Sequence, residues 1–197
     1  MGPATKKGME RLAEPTDLAR FEAIVLPHLD SAYNLARWLC RDPDEAQDIV
    51  QEATMRALRF FAGYRGEDAR PWYLKIVRNT FLSDRGRQGA ATVLPFSALE
   101  RQDGPSVVEQ VPAAEPDPEA ALARLQEREA VDRLIARLPE EFREILVLRE
   151  LEDLSYREIA EVAQIPIGTV MSRLARARRQ LLAWAREDRT AEVGHAL

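Results

Sequence analysis

The spacing of apolar residues predicts helices along most of the chain. Between residues 17 and 39 the apolar positions recur mostly three and four apart, the period of one helical face, and Pro27 is expected to bend that helix. A second helix is predicted to begin at Asp42-Pro43, because Asp is a favourable N-cap and Pro suits the first helical position. Gly63 is predicted to end it, and a third helix is predicted over residues 71–84.

The helical pattern breaks between residues 88 and 118. Five of the chain's twelve prolines fall between residues 86 and 118, and residues 99–122 carry six acidic side chains against one basic. No helical period is sustained there, so we predict an acidic, proline-rich and flexible linker. Helical spacing returns at a predicted helix start, Asp117-Pro118, and continues to about residue 185.

These elements predict an all-α fold of two small helical domains joined by a flexible linker. Helix-forming residues dominate, and 46% hydrophobic residues are enough for packed cores. We place the domains at residues 18–87 and 119–185, the linker at 88–118, and loose tails at 1–17 and 186–197.

The stretch from Leu154 to Leu174 has the pattern of a helix-turn-helix. Ser155 followed three residues later by Glu158 is a capping box, and small Ala160 allows a close helix crossing. Residues 164–166 form the predicted turn, and an apolar face repeats on the helix after it. Polar side chains occupy the opposite face or its margin: Thr169, Ser172, Arg173, Arg176 and Arg179. Such a helix fits the DNA major groove, although a helical hairpin with a solvated arginine face has the same spacing.

The net charge of −5 conceals a segregation of charge along the chain. Residues 70–87 carry five basic side chains and one acidic, and residues 167–189 carry six arginines and two acidic residues. Two basic segments separated by an acidic one fit two DNA contacts joined by a linker. Ordinary solvated helix faces are the alternative interpretation.

Candidate chemistry other than binding is sparse. Cys40 is the single cysteine, so no intrachain disulfide or cysteine-based metal site is expected, and its apolar surroundings favour core packing over redox sensing. The two histidines are far apart, and no Gly-rich phosphate loop appears, so we expect no enzyme activity, metal or cofactor. No apolar run could cross a membrane and no signal-peptide core is present, so we expect a cytoplasmic protein without membrane insertion.

Segments in both halves resemble the extracytoplasmic-function sigma factors of RNA polymerase. In the first half, residues 44–57 (DEAQDIVQEATMRA) resemble the family's core-binding helix, and residues 72–84 (WYLKIVRNTFLSD) its promoter-melting and minus-ten helix. In the second half, residues 138–150 (LPEEFREILVLRE), 154–161 and 165–178 resemble its fourth domain. Two matches in the family's order, with a linker between, are more specific than either alone.

The resemblance implies a transcription initiation factor that binds RNA polymerase core and reads minus-ten and minus-35 promoter elements. It implies docking on the clamp helices of the β′ subunit by Asp48, Gln51 and Glu52. The implied minus-ten residues are Tyr64, Arg65, Trp72, Lys75, Arg78 and Asn79. The implied minus-35 residues are the five polar residues of the helix-turn-helix named above. The β flap of the polymerase and an anti-sigma factor are further implied partners.

Several alternatives stay open at this point. The proposed docking residues can also be interpreted as an ordinary acidic face that is exposed to solvent. Trp72 can also be interpreted as a core residue. Gln164 stands where many family members have glycine and Met171 where lysine is common, which leaves the minus-35 preference open. A stand-alone helix-turn-helix regulator would bind DNA as a dimer without polymerase. A protein-interaction module would use both basic helices as a surface for an anti-sigma partner.

Overall fold

The computed structural model describes residues 15–66, 68–89 and 118–195. All regular structure in those ranges is helical, which confirms the all-α prediction. Residues 1–14 of the predicted N-terminal tail and residues 90–117 of the predicted linker lie outside the described residues. We call the described residues up to 89 the N-terminal bundle and residues 118–195 the C-terminal bundle.

The N-terminal bundle contains four α-helices. They are α1 (Pro15–Ile24), α2 (Leu29–Cys40), α3 (Pro43–Phe60) and α4 (Ala69–Gly89). A 3-10 turn at Leu26–His28 separates α1 from α2. Pro27 lies in that turn, so the predicted bend is confirmed. Helices α2, α3 and α4 pack against one another and form the core of this bundle.

Helix α3 begins where the sequence predicts. The Asp42 carboxylate accepts hydrogen bonds from the backbone N–H groups of Asp44 and Glu45, each at 2.9 Å, and so caps donors that the helix leaves unpaired. The α-helix ends at Phe60, and a 3-10 turn at Phe61–Gly63 completes the segment up to the predicted glycine. Its buried face is built mostly from small residues, which lets α3 approach its neighbours closely: Ala46, Ile49, Ala53 and Ala57.

Helix α4 is longer than predicted at both ends. The Asp68 carboxylate accepts a hydrogen bond from the backbone N–H of Arg70 at 2.9 Å, so the helix begins at Ala69 and not at Pro71. The helix also continues past Asp84 to Gly89. The basic side chains of this segment therefore project from one continuous helix.

The C-terminal bundle also contains four α-helices. They are α5 (Pro118–Arg137), α6 (Glu140–Leu146), α7 (Tyr156–Ala163) and α8 (Ile167–His195). Within the stretch of predicted helical spacing, α6 is short, because it passes into a π-helical segment at Val147–Leu151. Helix α8 continues to His195, through the segment that the sequence pattern assigned to a C-terminal tail.

The two bundles pack directly against each other. Helix α4 contacts α7, and α2 contacts α6 and the π-helical segment. The buried apolar side chains of both bundles form a single hydrophobic cluster. The sequence pattern predicts two domains but no contact between them, so this closed arrangement is a finding of the structure.

Candidate functional site

The predicted capping box holds the start of the helix-turn-helix. The backbone N–H of Glu158 donates to the Ser155 hydroxyl at 3.3 Å, and the backbone N–H of Ser155 donates to the Glu158 carboxylate at 2.7 Å. These hydrogen bonds from Ser155 lower the pKa of the Glu158 carboxyl below its ordinary value. Both ends of the box are therefore formed, and the prediction is confirmed.

The turn between α7 and α8 depends on a left-handed residue. Gln164 has a φ of 54°, and its backbone N–H bonds back to the carbonyl of Ala160. The backbone N–H of Ile165 donates to the same carbonyl at 3.2 Å, so the Ala160 carbonyl in the last turn of α7 accepts two hydrogen bonds. This geometry sets the direction in which α8 leaves the turn.

The early turns of α8 present a polar face to solvent. Val170, Leu174 and Ala177 are buried against the rest of the bundle. On the other side, Ser172, Arg176 and Arg179 are exposed and Thr169 is half-buried. Among the described residues, Arg176 and Arg179 make no salt bridge.

Arg173, one of the residues predicted for this face, forms a salt bridge within the C-terminal bundle. The Arg173 guanidinium pairs with the Glu141 carboxylate of α6 at 2.7 Å, and about a quarter of its side chain is exposed. This salt bridge therefore links α8 to α6. Met171 and Ile167 are both about half exposed one helical turn apart, so the same surface also has an apolar edge.

Helix α3 presents the predicted acidic face. Asp48, Gln51 and Glu52 are all exposed on it, and the Glu52 carboxylate pairs with Arg56 at 2.7 Å. Beside these residues, α2 and α3 enclose a shallow groove of about 340 Å³ that is mostly apolar. Tyr33, Val50 and Met55 line that groove. The face therefore combines carboxylates with an adjoining apolar surface.

An aromatic cluster stands at the start of α4. Tyr64 stacks on Phe61 with the ring centroids 5.9 Å apart, and Trp72 lies 4.8 Å from Tyr64. Tyr64 is buried, and its ring covers Gly66 so closely that a Cβ there would come within 2.8 Å of it. Trp72 is only half-buried, so the structure gives it both the core contact and an accessible edge.

A groove of about 620 Å³ adjoins this cluster and runs between the two bundles. Arg65, Trp72 and Lys75 line its N-terminal side, and Glu158 and Glu161 of α7 line the other. Arg65 is exposed and holds the loop by donating to the carbonyl oxygens of Ala62 and Tyr64, at 2.7 and 2.9 Å. Asn79 is half-buried further along α4. Aromatic and cationic side chains of this kind suit a single nucleic-acid strand.

Two sequence-family models match the chain in the order expected. The model described as sigma-70 region 2 matches residues 24–90, and the model described as sigma-70 region 4 matches residues 128–181. An Escherichia coli relative named ECF RNA polymerase sigma-E factor is 33% identical over 141 residues, which cover 70% of this chain and 72% of that protein. The chain belongs to the extracytoplasmic-function sigma factors.

Other relatives of this sigma factor carry similar names. A Pseudomonas aeruginosa protein named RNA polymerase sigma-H factor is 35% identical over 169 residues, which cover 84% of this chain and 86% of that protein. The ECF RNA polymerase sigma factor SigE of Mycolicibacterium smegmatis is 32% identical over 180 residues, which cover 85% of this chain and 67% of that protein.

Two solved structures share the fold of this sigma factor. One is the sigma factor RpoE in complex with the anti-sigma factor NepR from Bartonella quintana, with a TM-score of 0.63, 22% identity, and coverage of 87% of this chain and 98% of that chain. The other is CnrH in complex with the cytosolic domain of CnrY, with a TM-score of 0.59, 22% identity, and coverage of 87% and 90%. At this level of identity the likeness concerns the fold alone.

The sequence pattern did not identify the charged residues of this sigma factor that lie between the bundles. Arg78 of α4 donates to the Glu144 carboxylate of α6, and Arg70 donates to the Glu152 carboxylate at 2.9 Å. Arg143 is buried and donates to the backbone carbonyl of Trp38 at 2.8 Å. Arg70 and Arg78 were part of the predicted basic segment, but nothing in the helical period indicated acidic partners for them.

The buried carboxyl at this contact has an altered acidity. Burial raises the pKa of Glu144 above its ordinary value, and the hydrogen bond and charge of Arg78 oppose that rise. Burial lowers the pKa of Arg143 in turn. Charged groups are therefore withdrawn from water where the bundles meet, since Arg143 and Glu144 are both buried there.

Cys40 is the last residue of α2 in the N-terminal bundle and is partly buried against the core. Burial, with a further contribution from the carboxylate of Glu45, raises the pKa of its thiol to about 12. The thiol therefore stays protonated at neutral pH, which supports the packing role over redox sensing. Among the described residues no cluster suited to a metal ion occurs, and no helix there is long and apolar enough to cross a membrane.

Proposed function

We propose that this sigma factor binds RNA polymerase core and directs it to promoters that carry minus-35 and minus-ten elements. One observation carries the proposal: a bundle with a region 2 match is followed by a helix-turn-helix with a region 4 match, in a single chain. A stand-alone regulator needs only the second of these. The relatives' names, which refer to RNA polymerase, support the proposal.

The acidic face of α3 is the proposed docking surface for the β′ clamp helices. Asp48, Gln51 and Glu52 are exposed there, and the adjoining groove offers an apolar contact. Charged residues at the rim of such an interface steer the partner, and apolar contacts at its centre supply most of the affinity. We also propose that the C-terminal bundle contacts the β flap of the polymerase.

The start of α4 and the loop before it form the proposed minus-ten site. Trp72 and Lys75 offer a stacking surface and a cation beside the groove, and Arg65 lies at its edge. Asn79 has the donors and acceptors needed to read the edge of a flipped base. Tyr64 supports the site from beneath, because it is buried between Phe61 and Gly66.

The polar face of α8 is the proposed minus-35 reader. Thr169 and Ser172 lie in its first turns, where side chains of a recognition helix reach base edges. Arg176 and Arg179 are exposed and positioned for phosphates. We assign Arg173 to the same surface, with the condition that it must leave Glu141 to contact DNA.

The proposed action is binding, and the chemistry of RNA synthesis belongs to the polymerase. We place the protein in the cytoplasm, where RNA polymerase works. One structural neighbour, RpoE, is in complex with the anti-sigma factor NepR, and we propose that an anti-sigma factor also regulates this chain.

Transcription in vitro tests the proposal. Purified core polymerase is given a library of promoter fragments with and without the full chain, and the 5′ ends of the transcripts are sequenced. We expect new start sites that share a minus-35 and a minus-ten element. Core polymerase that gains no start-site selectivity would refute the proposal. A gel shift without core identifies the stand-alone regulator, which would bind a palindrome as a dimer.

A further inference from the structure

Helix α1 is anchored on the aromatic cluster at the start of α4. Phe21 is buried and meets the Phe61 ring edge-on, with the ring centroids 5.3 Å apart. Phe61 in turn stacks on Tyr64, whose ring lies 4.8 Å from Trp72. A continuous set of aromatic contacts therefore connects α1 to the proposed minus-ten site. The region 2 match begins at residue 24, the last residue of α1, so it does not extend over Phe21.

Arg20, the residue before Phe21, reaches the same cluster. The central carbon of its guanidinium lies 5.2 Å from the centroid of the Phe61 ring, within the range of a cation–π contact. Burial and the charge of Asp68 raise the pKa of the Tyr64 hydroxyl, and the charge of Arg20 opposes that rise. The positive charge therefore lies close to both of the rings that support Trp72.

The N–H groups of this guanidinium are available to a ligand. Arg20 is exposed, and among the residues that the structure describes it makes no salt bridge. Stacking on a ring occupies the flat face of a guanidinium and leaves the donors at its edge free. By contrast, Arg65 uses its guanidinium to hold the backbone of its own loop. Arg20 is therefore an oriented cation that suits an anionic oxygen such as that of a phosphate.

We propose that Arg20 binds a phosphate of the single DNA strand held at the minus-ten site, so that this site extends across the aromatic cluster to α1. The inference rests on the proposed function and adds a contact outside the loop and helix assigned to minus-ten DNA above. A single strand is held by rings that stack on its bases and by cations that follow its phosphates. Trp72 and Arg20 supply one group of each kind at the two ends of the cluster.

The variant R20M tests the contact, because methionine keeps an unbranched side chain over Phe61 and removes the charge. Core polymerase carrying the full chain is titrated with a fluorescein-labelled oligonucleotide, the non-template strand of the minus-ten element identified by the transcription assay. We expect R20M to bind about fivefold more weakly at low ionic strength. We also expect the slope of log affinity against log salt to fall by about 0.7, the value for one phosphate of a single strand. R20K keeps the charge and should keep the slope.

A series of oligonucleotides with one uncharged methylphosphonate linkage each locates the partner phosphate. Wild type should lose affinity at one linkage where R20M loses nothing further, because the two changes remove the same contact. Additive losses at every linkage would show that Arg20 acts through no particular phosphate.

A matched control separates the contact from net charge and from packing. R128M makes the same substitution at an exposed position of α5, outside the proposed DNA surfaces, and should keep the wild-type slope. Urea unfolding of the free chain measures what Arg20 contributes to the fold. A purely structural role would lower the unfolding midpoint of R20M and leave its salt slope equal to that of wild type.

The outcomes separate this inference from the proposed function. An R20M slope equal to that of wild type, or a slope lowered equally by R128M, would overturn the phosphate contact while wild-type start-site selectivity leaves the function standing. A wild-type chain that gives core polymerase no selectivity would refute the function, and the inference would fall with it.

Discussion

Gln164 has a backbone conformation that suits its side chain poorly. Its φ of 54° lies in the left-handed region, and its side chain is exposed. A side chain costs roughly 1 kcal/mol there relative to glycine, although glycine also gives the unfolded chain more freedom, which offsets part of the gain. We expect Q164G to stabilise the C-terminal bundle by about 0.5 kcal/mol in urea unfolding.

The control for this substitution is A183G, at an exposed position inside α8. Glycine in a helix interior should lower the free energy of unfolding by about 0.5–1 kcal/mol. If Q164G destabilised the protein as A183G does, the strain argued from the φ of residue 164 would be absent.

Glu52 is the residue through which the docking surface is most directly tested. E52K reverses one exposed charge on α3 and places a second cation beside Arg56. Since charge complementarity contributes mainly to association, we expect about tenfold weaker binding to core polymerase, measured by competition with a labelled sigma factor. The i,i+4 repulsion costs the helix only about 0.2–0.5 kcal/mol, so folding should be kept.

A charge reversal elsewhere serves as the control for E52K. Glu127 is exposed on α5, outside the proposed docking surface, and E127K makes the same change in net charge. E127K is expected to compete for core as well as wild type does. Equal affinities for E52K and wild type would remove Glu52 from the docking surface.

At the scale of elements, the start of α7 depends on its capping box. S155A removes the hydroxyl that accepts from the backbone N–H of Glu158. A lost N-cap of this kind costs about 1 kcal/mol, so we expect a lower midpoint of unfolding for the helix-turn-helix. S155T keeps an accepting oxygen and should recover most of the loss. A variant S155A as stable as wild type would show that packing alone holds α7.

The same capping box makes the stability of the fold depend on pH. Hydrogen bonds from Ser155 lower the pKa of Glu158 below its ordinary value of 4.5, so the ionised carboxylate stabilises the fold above that pH. The contribution is lost as the pH falls through the lowered value. E158Q keeps a capping oxygen without charge, and we expect it to be about 0.3–1 kcal/mol less stable at neutral pH. The difference should vanish in acid; one that persisted there would not come from the charge.

The sequence predicts the elements well where their causes are local. Asp42 and the Ser155–Glu158 pair mark helix starts by hydrogen bonds that span two or three residues, and both are where the pattern placed them. The π-helical segment at Val147–Leu151 was not predicted. The spacing of apolar residues is nearly the same in an α-helix and in a single π-helical turn, so it does not distinguish them. The early start of α4 depends on Asp68, which the pattern placed in a loop.

At the scale of the whole molecule, local rules fail at the contact between the bundles. Glu144 and Arg143 are adjacent in an amphipathic helix, and the helical period gives no reason to bury either of them. Their partners lie far away in the chain: Arg78 of α4 is 66 positions from Glu144, and Trp38 of α2 is 105 positions from Arg143. The candidate surfaces could be located from motifs, but the contact between the bundles is a long-range property.

The shared contact also predicts how the molecule unfolds. One hydrophobic cluster and two buried ion pairs join the bundles, so the wild-type chain should melt in a single calorimetric transition. L174A removes a buried side chain of α8 and should cost about 2–5 kcal/mol, lowering that single transition as a whole. Two transitions already present in the wild type would mean that the bundles are energetically independent despite their contact.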